Sequence, residues 1–230
     1  MEKQLTTNRL RPNIITLIAA FAILLAINIT FTSCNDDEDP IYYQYGTVDK
    51  KGSSEFDILL DNGQTLKIVE SGIHAAQLRD SMRLLNYYEI KEDMGSTLLV
   101  RLLDADTILT KPILNYDANK LDSIGKDPIR ITACWYANGF INMQFIYRGA
   151  YTRPIQKHMI NLLKKEDKKG NLSFEFRHNA FNDIEETMHK GHVSFKIGSL
   201  FSEITTPTDF FIKFNTSSSS QDSVKFEYRK

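Results

Sequence analysis

The sequence predicts an all-β protein. Its 230 residues include 10 tyrosines and 14 phenylalanines, and many of these stand with β-branched residues in short runs of alternating polarity, the pattern of half-buried strands. Asn62-Gly63 and Asn138-Gly139 separate such runs, and Asn-Gly pairs favour tight hairpin turns because both residues tolerate positive φ. We therefore expect the chain after residue 40 to consist mainly of strands.

The first 33 residues predict a signal peptide. Ile14–Phe31 is almost wholly apolar, as an export signal requires, and it follows three basic residues, which are Lys3, Arg9 and Arg11. The apolar segment is also about long enough to span a bilayer as an uncleaved anchor. Asn28 and Thr30 weaken that alternative, and so does the cysteine that follows.

Cys34 comes directly after the small residues Thr32 and Ser33, which allow a peptidase to approach the bond before the cysteine. A diacylglyceryl thioether on Cys34, with an acyl chain such as palmitate on its freed amine, would hold the protein firmly, because two or more chains anchor stably. We therefore predict a lipoprotein that is bound to a membrane through Cys34.

An acidic run follows the cysteine and consists of Asp36, Asp37, Glu38 and Asp39. Because like charges repel, residues 34–40 are expected to form an extended, solvated tether. The run also resembles the short acidic signals that send lipoproteins of Bacteroidetes to the cell surface. This resemblance favours an outer membrane lipoprotein that faces the extracellular side.

Charge and cysteine content narrow the class of protein further. The formal net charge is −1 and becomes −3 without the signal peptide, and no stripe of Lys and Arg is interleaved with aromatics, so we expect no nucleic-acid partner. If Cys34 carries lipid, Cys134 has no partner for a disulfide. Its strand-like surroundings predict a buried, unreactive thiol.

Residues 41–115 predict a small barrel of the OB type. Alternating polarity predicts five strands, at Ile41–Asp49, Ser54–Asp61, Thr65–Glu70, Arg83–Ile90 and Leu98–Leu103. His74–Met82 is a candidate short helix between the third and fourth strands, and this order of elements resembles an OB barrel. Ile108–Pro112 is expected to close the unit, because Pro112 disfavours a central strand.

Residues 116–230 predict an immunoglobulin-like β-sandwich of about seven strands. The predicted strands are Ile129–Tyr136, Phe140–Tyr147, Asn171–His178, Gly191–Ile197, Asp209–Asn215 and Ser223–Tyr228. Ile155–Leu163 suits either a helix face or a strand. Thr216–Asp222 contains four consecutive serines and is expected to be a flexible hairpin loop.

Two polar clusters could carry chemistry. Glu186 and His189 have the spacing of two ligands on a helix, with His192 nearby, but metal sites need three or four converging ligands. A solvated loop is therefore the favoured interpretation, and we expect no metal. Arg177-His178-Asn179 and Asp183 lack a nucleophile in a suitable context, so we predict no catalytic residue and no cofactor. Asn179 and Asp183 are expected to bend the chain between strands, and Arg177 is expected to pair with a carboxylate.

Trp135, Tyr136 and Tyr147 are the candidate ligand-stacking aromatics. Trp135 is the only tryptophan and is expected to fill the core of the sandwich. If it stacks on a sugar instead, Tyr136 and Tyr147 lie near enough in the same hairpin to extend that surface. OB barrels also bind glycans and oligonucleotides, but a fold alone does not confer a function.

Several segments resemble the NigD-like lipoproteins of Bacteroidetes, in chain order and over almost the whole chain after the signal. They are Leu60–Leu66, Arg83–Tyr87, Ile108–Lys111, Asp127–Ile129, Trp135, Gly139–Phe145, His158–Leu162, Phe176–Asp183, Val193–Phe195 and Lys225–Tyr228. The resemblance implies an OB-type domain followed by a β-sandwich, with a strand at Ile155–Leu163. The family has no established activity, and its name comes from a bacteriocin-associated gene cluster. At Ser81-Met82 the chain departs from the pattern, which has a glycine before Arg83.

Together these features predict a lipid-anchored, surface-exposed envelope protein that binds or protects and is not an enzyme. Its partner would be an unknown protein, peptide or glycan. The alternative is a glycan-binding accessory lipoprotein of a nutrient uptake system, for which Trp135 and the tyrosines would be exposed and coplanar.

Overall fold

Five strands at the start of the folded chain close into a barrel. The structure is a computed structural model that describes residues 39–53, 55–151, 156–168 and 170–229. The barrel strands are β1 (Ile41–Lys50), β2 (Phe56–Leu60), β3 (Thr65–Ser71), β4 (Arg83–Asp93) and β5 (Thr97–Thr107). Their order around the barrel is β1-β2-β3-β5-β4, and β3 and β5 are parallel while the other pairs are antiparallel. This arrangement confirms the predicted OB-like barrel.

The alternating pattern of β2 explains the barrel core. Phe56, Ile58 and Leu60 point inward and are buried, as the sequence predicts. The strand β1 pairs with β4 along its first part and with β2 along its last part, and Gly46 lies where the two partners overlap. A Cβ atom on Gly46 would collide with the side chain of Ile58, so only glycine allows β1 to approach β2 so closely.

Nine further strands form two sheets that pack face to face as a β-sandwich. They are β6 (Leu109–Pro112), β7 (Leu114–Asn115), β8 (Arg130–Ala137), β9 (Phe140–Gly149), β10 (Met159–Glu166), β11 (Leu172–Asn179), β12 (Thr187–Lys196), β13 (Thr208–Asn215) and β14 (Gln221–Tyr228). One sheet has the order β14-β13-β11-β10-β7 and the other has the order β6-β12-β9-β8. The predicted all-β class, with a barrel followed by a sandwich, is confirmed.

Phenylalanines dominate the sandwich core. Phe174 meets Phe201, Phe210 and Phe226 with ring centroids 5.7 to 6.2 Å apart, and each of these rings is at least 93% buried. Burial of one such side chain stabilises the fold by about 1.5–3 kcal/mol. Among the described residues the sole cysteine is the unpaired Cys134, so this core and the hydrogen-bonded sheets hold the sandwich together.

Several local predictions differ from the structure. The segment at His74–Met82 contains only a 3₁₀ turn, Ala75–Gln77, because three residues offer too few hydrogen bonds to propagate a helix. The segment around Pro112 does not close the barrel: β6 pairs with β12 and β7 pairs with β10. Proline is tolerated in β6 because that strand lies at the edge of its sheet.

Two other predictions concern strand length and turns. The prediction for Ile155–Leu163 as a strand agrees with β10 from Met159 onward, and Ile155 lies outside the described residues. Asn138 and Gly139 have φ of 51° and 81°, as a tight hairpin turn requires. The 3₁₀ turn Ala118–Lys120 and the short helix α1 (Leu121–Ile124) connect β7 to β8. Among the residues that the structure describes, none of the helical segments could span a bilayer.

Candidate functional site

The barrel packs on the outer face of the four-stranded sheet. Alternation along β9 turns Ile141, Met143 and Phe145 into the sandwich core, so the residues between them face the opposite way. Two of these are Asn142 and Gln144, which make hydrogen bonds to residues of the barrel. The part of this second face around Asn142 and Gln144 is therefore covered by the barrel.

Arg83, the first residue of β4, lies at the centre of this contact and has no exposed surface. Its guanidinium donates two parallel hydrogen bonds to the carboxylate of Asp61, at 2.6 and 2.7 Å. It also donates to Asn142 Oδ1 of the sandwich at 2.8 Å and to Thr47 Oγ1 at 3.0 Å. The Phe140 ring lies below the guanidinium carbon at 5.2 Å. A buried charge with these partners is neutralised and geometrically fixed.

Asp61 connects the barrel to two residues of the sandwich. Besides Arg83, it accepts a hydrogen bond from Trp135 Nε1 at 2.7 Å and one from Asn138 Nδ2 at 3.2 Å. Asn142 Oδ1 in turn accepts from the Ser194 hydroxyl at 2.7 Å. We name the group Asp61, Arg83, Trp135, Asn138 and Asn142 the junction.

Tyr45 and His192 extend the contact beyond the junction. The Tyr45 hydroxyl bonds to Nδ1 of His192 and accepts a hydrogen bond from Gln144 Nε2 at 3.0 Å. Burial raises the pKa of Tyr45 and lowers the pKa of His192, so both groups are favoured in their neutral forms. The neutral pair holds the barrel against the sheet as a hydroxyl donor and an imidazole acceptor.

A second polar group lies at the end of the sandwich and runs from Asp183 through His158 to His178. Nε2 of His158 lies 2.9 Å from Asp183 Oδ2, and its Nδ1 lies 2.8 Å from Nε2 of His178. Nδ1 of His178 lies 3.0 Å from the carbonyl oxygen of Pro128. The side chains of His158 and Asp183 are 4% and 8% exposed. We name this group the histidine row.

The hydrogen-bond partners of the histidine row orient its two rings. The Asp183 carboxylate accepts from Nε2 of His158, and the Pro128 carbonyl accepts from Nδ1 of His178. Bonds from the Ala150 N–H and from His158 lower the pKa of Asp183, so its carboxylate form is favoured. Burial lowers the pKa of His178, so its neutral form is favoured.

One protein family and several solved structures are similar to this chain. The family model of the NigD-like C-terminal beta sandwich domain matches residues 112–228, which is half of the chain. The chain belongs to the NigD-like family. No curated protein matches it.

Solved structures share the fold of this NigD-like chain. A protein from Parabacteroides distasonis, described as toxin related, is 26% identical with a TM-score of 0.70, over 83% of this chain and 94% of its own. A NigD-like immunity protein from Bacteroides caccae is 16% identical with a TM-score of 0.61, over 81% and 96%. A Bacteroides fragilis protein described as a lipoprotein is 13% identical with a TM-score of 0.64, over 83% and 99%.

The three candidate stacking aromatics do not meet on one surface. Trp135 points to the barrel, where its ring lies 4.9 Å from that of Tyr45, and it belongs to the junction rather than to the sandwich core. Tyr136 lies on the opposite face of β8 and packs against Phe201 and Tyr228. Tyr147 packs among three histidines, His158, His178 and His189, at 4.7 to 5.7 Å. Each of the three rings packs against other side chains of the protein, so the three do not form one stacking surface.

The segment around His189 is neither a helix nor a loop, because β12 begins at Thr187 and pairs with β9 along its whole length. His189 and His192 are an odd number of positions apart, so they project from opposite faces of the strand. His189 bonds to the Ala150 carbonyl at 3.1 Å, whereas His192 bonds to Tyr45. Among the described residues no three His, Cys, Asp or Glu side chains converge to hold a metal.

The other singled-out residues have structural partners as well. Arg177 pairs with Glu175 at 2.8 Å. Burial raises the pKa of the Cys134 thiol to about 12, in line with the predicted unreactive thiol. Cys34, Asp36, Asp37 and Glu38 lie outside the described residues, and Asp39 is exposed, so lipidation and the export signal stay predictions.

Sequence reasoning missed the junction, although a signal was present. Asp61, Arg83, Trp135, Asn142 and Ser194 all fall inside the segments that resemble the NigD-like family. Read one by one, these residues belong to turns and strand ends. Read together, they include a charged pair, an indole and an amide on strand positions that face away from the core. This combination indicates a polar contact between the barrel and the sandwich.

Proposed function

We propose that this NigD-like chain is a lipid-anchored protein of the cell envelope that faces the outside of the cell and acts by binding or protection, without catalysis. Its site of attachment would be Cys34, followed by an acidic tether and two joined β bodies. The likeness to a NigD-like immunity protein and to a protein described as a lipoprotein supports this proposal, as does the signal-like segment before Cys34.

One observation carries the non-catalytic part of the proposal, namely that the polar side chains of the junction and of the histidine row bond to one another. Arg83 bonds to Asp61 and Asn142, and His158 lies within hydrogen-bond distance of Asp183 and His178. A general base needs a free lone pair within reach of a substrate. The junction instead holds the barrel against the sandwich, which suits a protein that presents a preorganised surface to a partner.

Lipidation is tested by growth of producing cells with an alkyne-tagged palmitate. The wild-type chain should carry the tag and Cys34→Ser should not, whereas Cys134→Ser should carry it as the wild type does. An untagged wild-type chain with an intact Met1 would contradict the proposed anchor.

Orientation and partner are tested on intact cells. Added protease should degrade the chain while a periplasmic marker protein survives, and replacement of Asp36, Asp37, Glu38 and Asp39 by asparagine should protect the chain. A deletion strain should become more sensitive to a co-encoded bacteriocin, and crosslinking should recover its protein target. Complete protection of the wild type from protease would rule out a surface role.

A glycan-binding role is the second candidate, and an exposed tyrosine of the barrel favours it. Tyr43 is 71% exposed and lies opposite Tyr87 on the neighbouring strand, whose hydroxyl donates to Asp106 at 3.1 Å. Aromatic faces beside a carboxylate are suited to sugars. Loss of binding on a glycan array in Tyr43→Ala would support this role, and an array without any hit would oppose it.

A further inference from the structure

A cavity of about 490 Å³ opens at the side of the sandwich where the chain passes from one sheet to the other. It lies between β6, the end of β12, the turn after β12, and Lys164 of β10. Three lysines line it, Lys111, Lys164 and Lys196, together with the apolar side chains of Ile113, Ile197 and Leu200. A volume of this size is within the range of small-ligand sites. We name it the lysine pocket.

The charge of the lysine pocket is one-sided. Among the residues that the structure describes, no Asp or Glu lines the pocket. Among the ion pairs of those same residues, none includes Lys111, Lys164 or Lys196. Three lysines around one cavity, with no carboxylate among its lining residues, produce a positive potential, which attracts anions.

The ammonium group of Lys111 is held in place by hydrogen bonds within the sandwich. Lys111 comes from β6 of the four-stranded sheet and crosses to β10 of the other sheet, where its ammonium donates to the Ile160 carbonyl and, at 2.8 Å, to Asn161 Oδ1. Asn161 is 5% exposed. Both acceptors are neutral, burial lowers the pKa of Lys111, and an ammonium has a third N–H to donate. An anion would complete the hydrogen bonding and balance the charge.

We propose that the lysine pocket binds an anionic group, a carboxylate, sulfate or phosphate, on a sugar-sized or lipid-headgroup-sized molecule. Lys111 fixes the charge, Lys164 and Lys196 close on the anion, and the apolar wall covers the uncharged part of the ligand. This inference deepens the proposed binding role and rests on it. A failed palmitate or protease experiment would overturn the proposed location but would leave the titrations below unchanged.

The test uses the chain from residue 34 with Cys34→Ser, so that no acyl chain contributes. Inorganic phosphate, inorganic sulfate and glucuronate are titrated by NMR at low ionic strength, and flotation with phosphatidylglycerol or phosphatidylcholine vesicles distinguishes a headgroup from a free anion. Lys164→Gln with Lys196→Gln should weaken binding about tenfold or more, because each lost charge-assisted hydrogen bond is worth about one power of ten. Shifted amide signals should cluster at residues 110–113 and 196–200.

The matched control removes the same charge elsewhere, as Lys157→Gln with Lys213→Gln, two exposed lysines outside the pocket. Its affinity should stay within about twofold of the parent, because neither lysine lines the pocket and the attraction of an exposed charge is weakened by the surrounding water. Binding only to phosphatidylglycerol vesicles, lost in the pocket variant, would support the proposal with a lipid as the source. Absence of binding to every probe, or an equal loss in both double variants, would overturn it.

Discussion

Arg83 has no exposed surface although it carries a full positive charge. A charge in this position needs a partner with fixed geometry, since the desolvation of an unpaired ion costs several kcal/mol. Asp61 supplies that partner through two parallel hydrogen bonds, and Asn142 adds an acceptor from the sandwich. The identity of the residue therefore matters more than its charge, because the ammonium of a lysine could not reach these acceptors in the same plane.

Replacement of this arginine should leave Asp61 buried and unpaired. Arg83→Met is expected to lower the free energy of unfolding by about 3–5 kcal/mol, the usual cost of breaking a buried ion pair. Arg101→Met is the matched control, because the Arg101 side chain is 45% exposed and pairs with Glu70 and Glu89 at 3.1 and 3.7 Å, so its loss should cost less than about 1 kcal/mol. Urea denaturation measures both, and losses of similar size would contradict the role given to Arg83.

Ser81 provides a second prediction at the residue scale. Its φ is 59°, in the region that favours glycine, and it lies in the Ser81-Met82 pair, where a glycine is expected. Ser81→Gly should relieve about 1–2 kcal/mol of backbone strain and cost about 0.5–1 kcal/mol in chain entropy, so a net gain of up to about 1.5 kcal/mol in unfolding free energy is expected. Ser173→Gly, within the extended strand β11, should instead lose stability, and a loss at both positions would refute the argument.

At the scale of elements, the strands with clean alternation are those that the sequence predicts best. β2 and β9 follow the pattern almost residue by residue, because one face meets a core and the pattern records that burial. β12 starts four residues earlier than predicted, since His189 and Lys190 are polar but pair with β9. β6 and β7 have four and two residues, which is too short for any periodicity to appear.

The histidine row makes a prediction about pH. Because the folded-state pKa of His178 is lowered, the unfolded chain binds this proton more readily, and stability should fall as the pH drops below about 6.5. The pKa of Asp183 is also lowered, so its contribution is present above about pH 3.9 and should be lost as the pH falls further.

Unfolding free energies between pH 8 and pH 3 test this prediction. His178→Asn should flatten the decline that begins near pH 6.5, and Asp183→Asn should flatten the decline at lower pH. His74→Gln is the control, because His74 is exposed and its loss should leave the profile unchanged. A wild-type profile parallel to that of His178→Asn would exclude a role for the row.

On the scale of the whole molecule, the junction should make barrel and sandwich unfold together. Trp135 is the only tryptophan and bonds across the junction, so its fluorescence reports the contact while circular dichroism reports the strands. In the wild type the two transitions should coincide, as in two-state unfolding. In Asn142→Ala, which removes one acceptor of Arg83, fluorescence should change at lower denaturant. Separate transitions in the wild type would contradict the coupling.

The local patterns of the sequence could not reveal this coupling, for a physical reason. Asp61 and Trp135 are 74 positions apart, and Arg83 and Asn142 are 59 apart. Alternation and turn signals describe which face of a strand is buried, but not which other body covers it. Asp61 is therefore expected from its local pattern only to begin a turn, and Trp135 only to fill a core. Their contact exists only after both bodies have folded.

The short strands β6 and β7 belong to the two sandwich sheets, and their position decides where a fragment that contains only the sandwich should begin. The family match starts at residue 112, inside β6, and a fragment that began there would lack Leu109–Lys111. Val193–Phe195 of β12 would then lose their neighbours and become an open sheet edge, which invites pairing between molecules. Size-exclusion chromatography should show more aggregate for a fragment from residue 112 than for one from residue 108, because both lose the barrel and only the first also opens this edge. The natural cut thus lies a few residues before the point where sequence similarity begins.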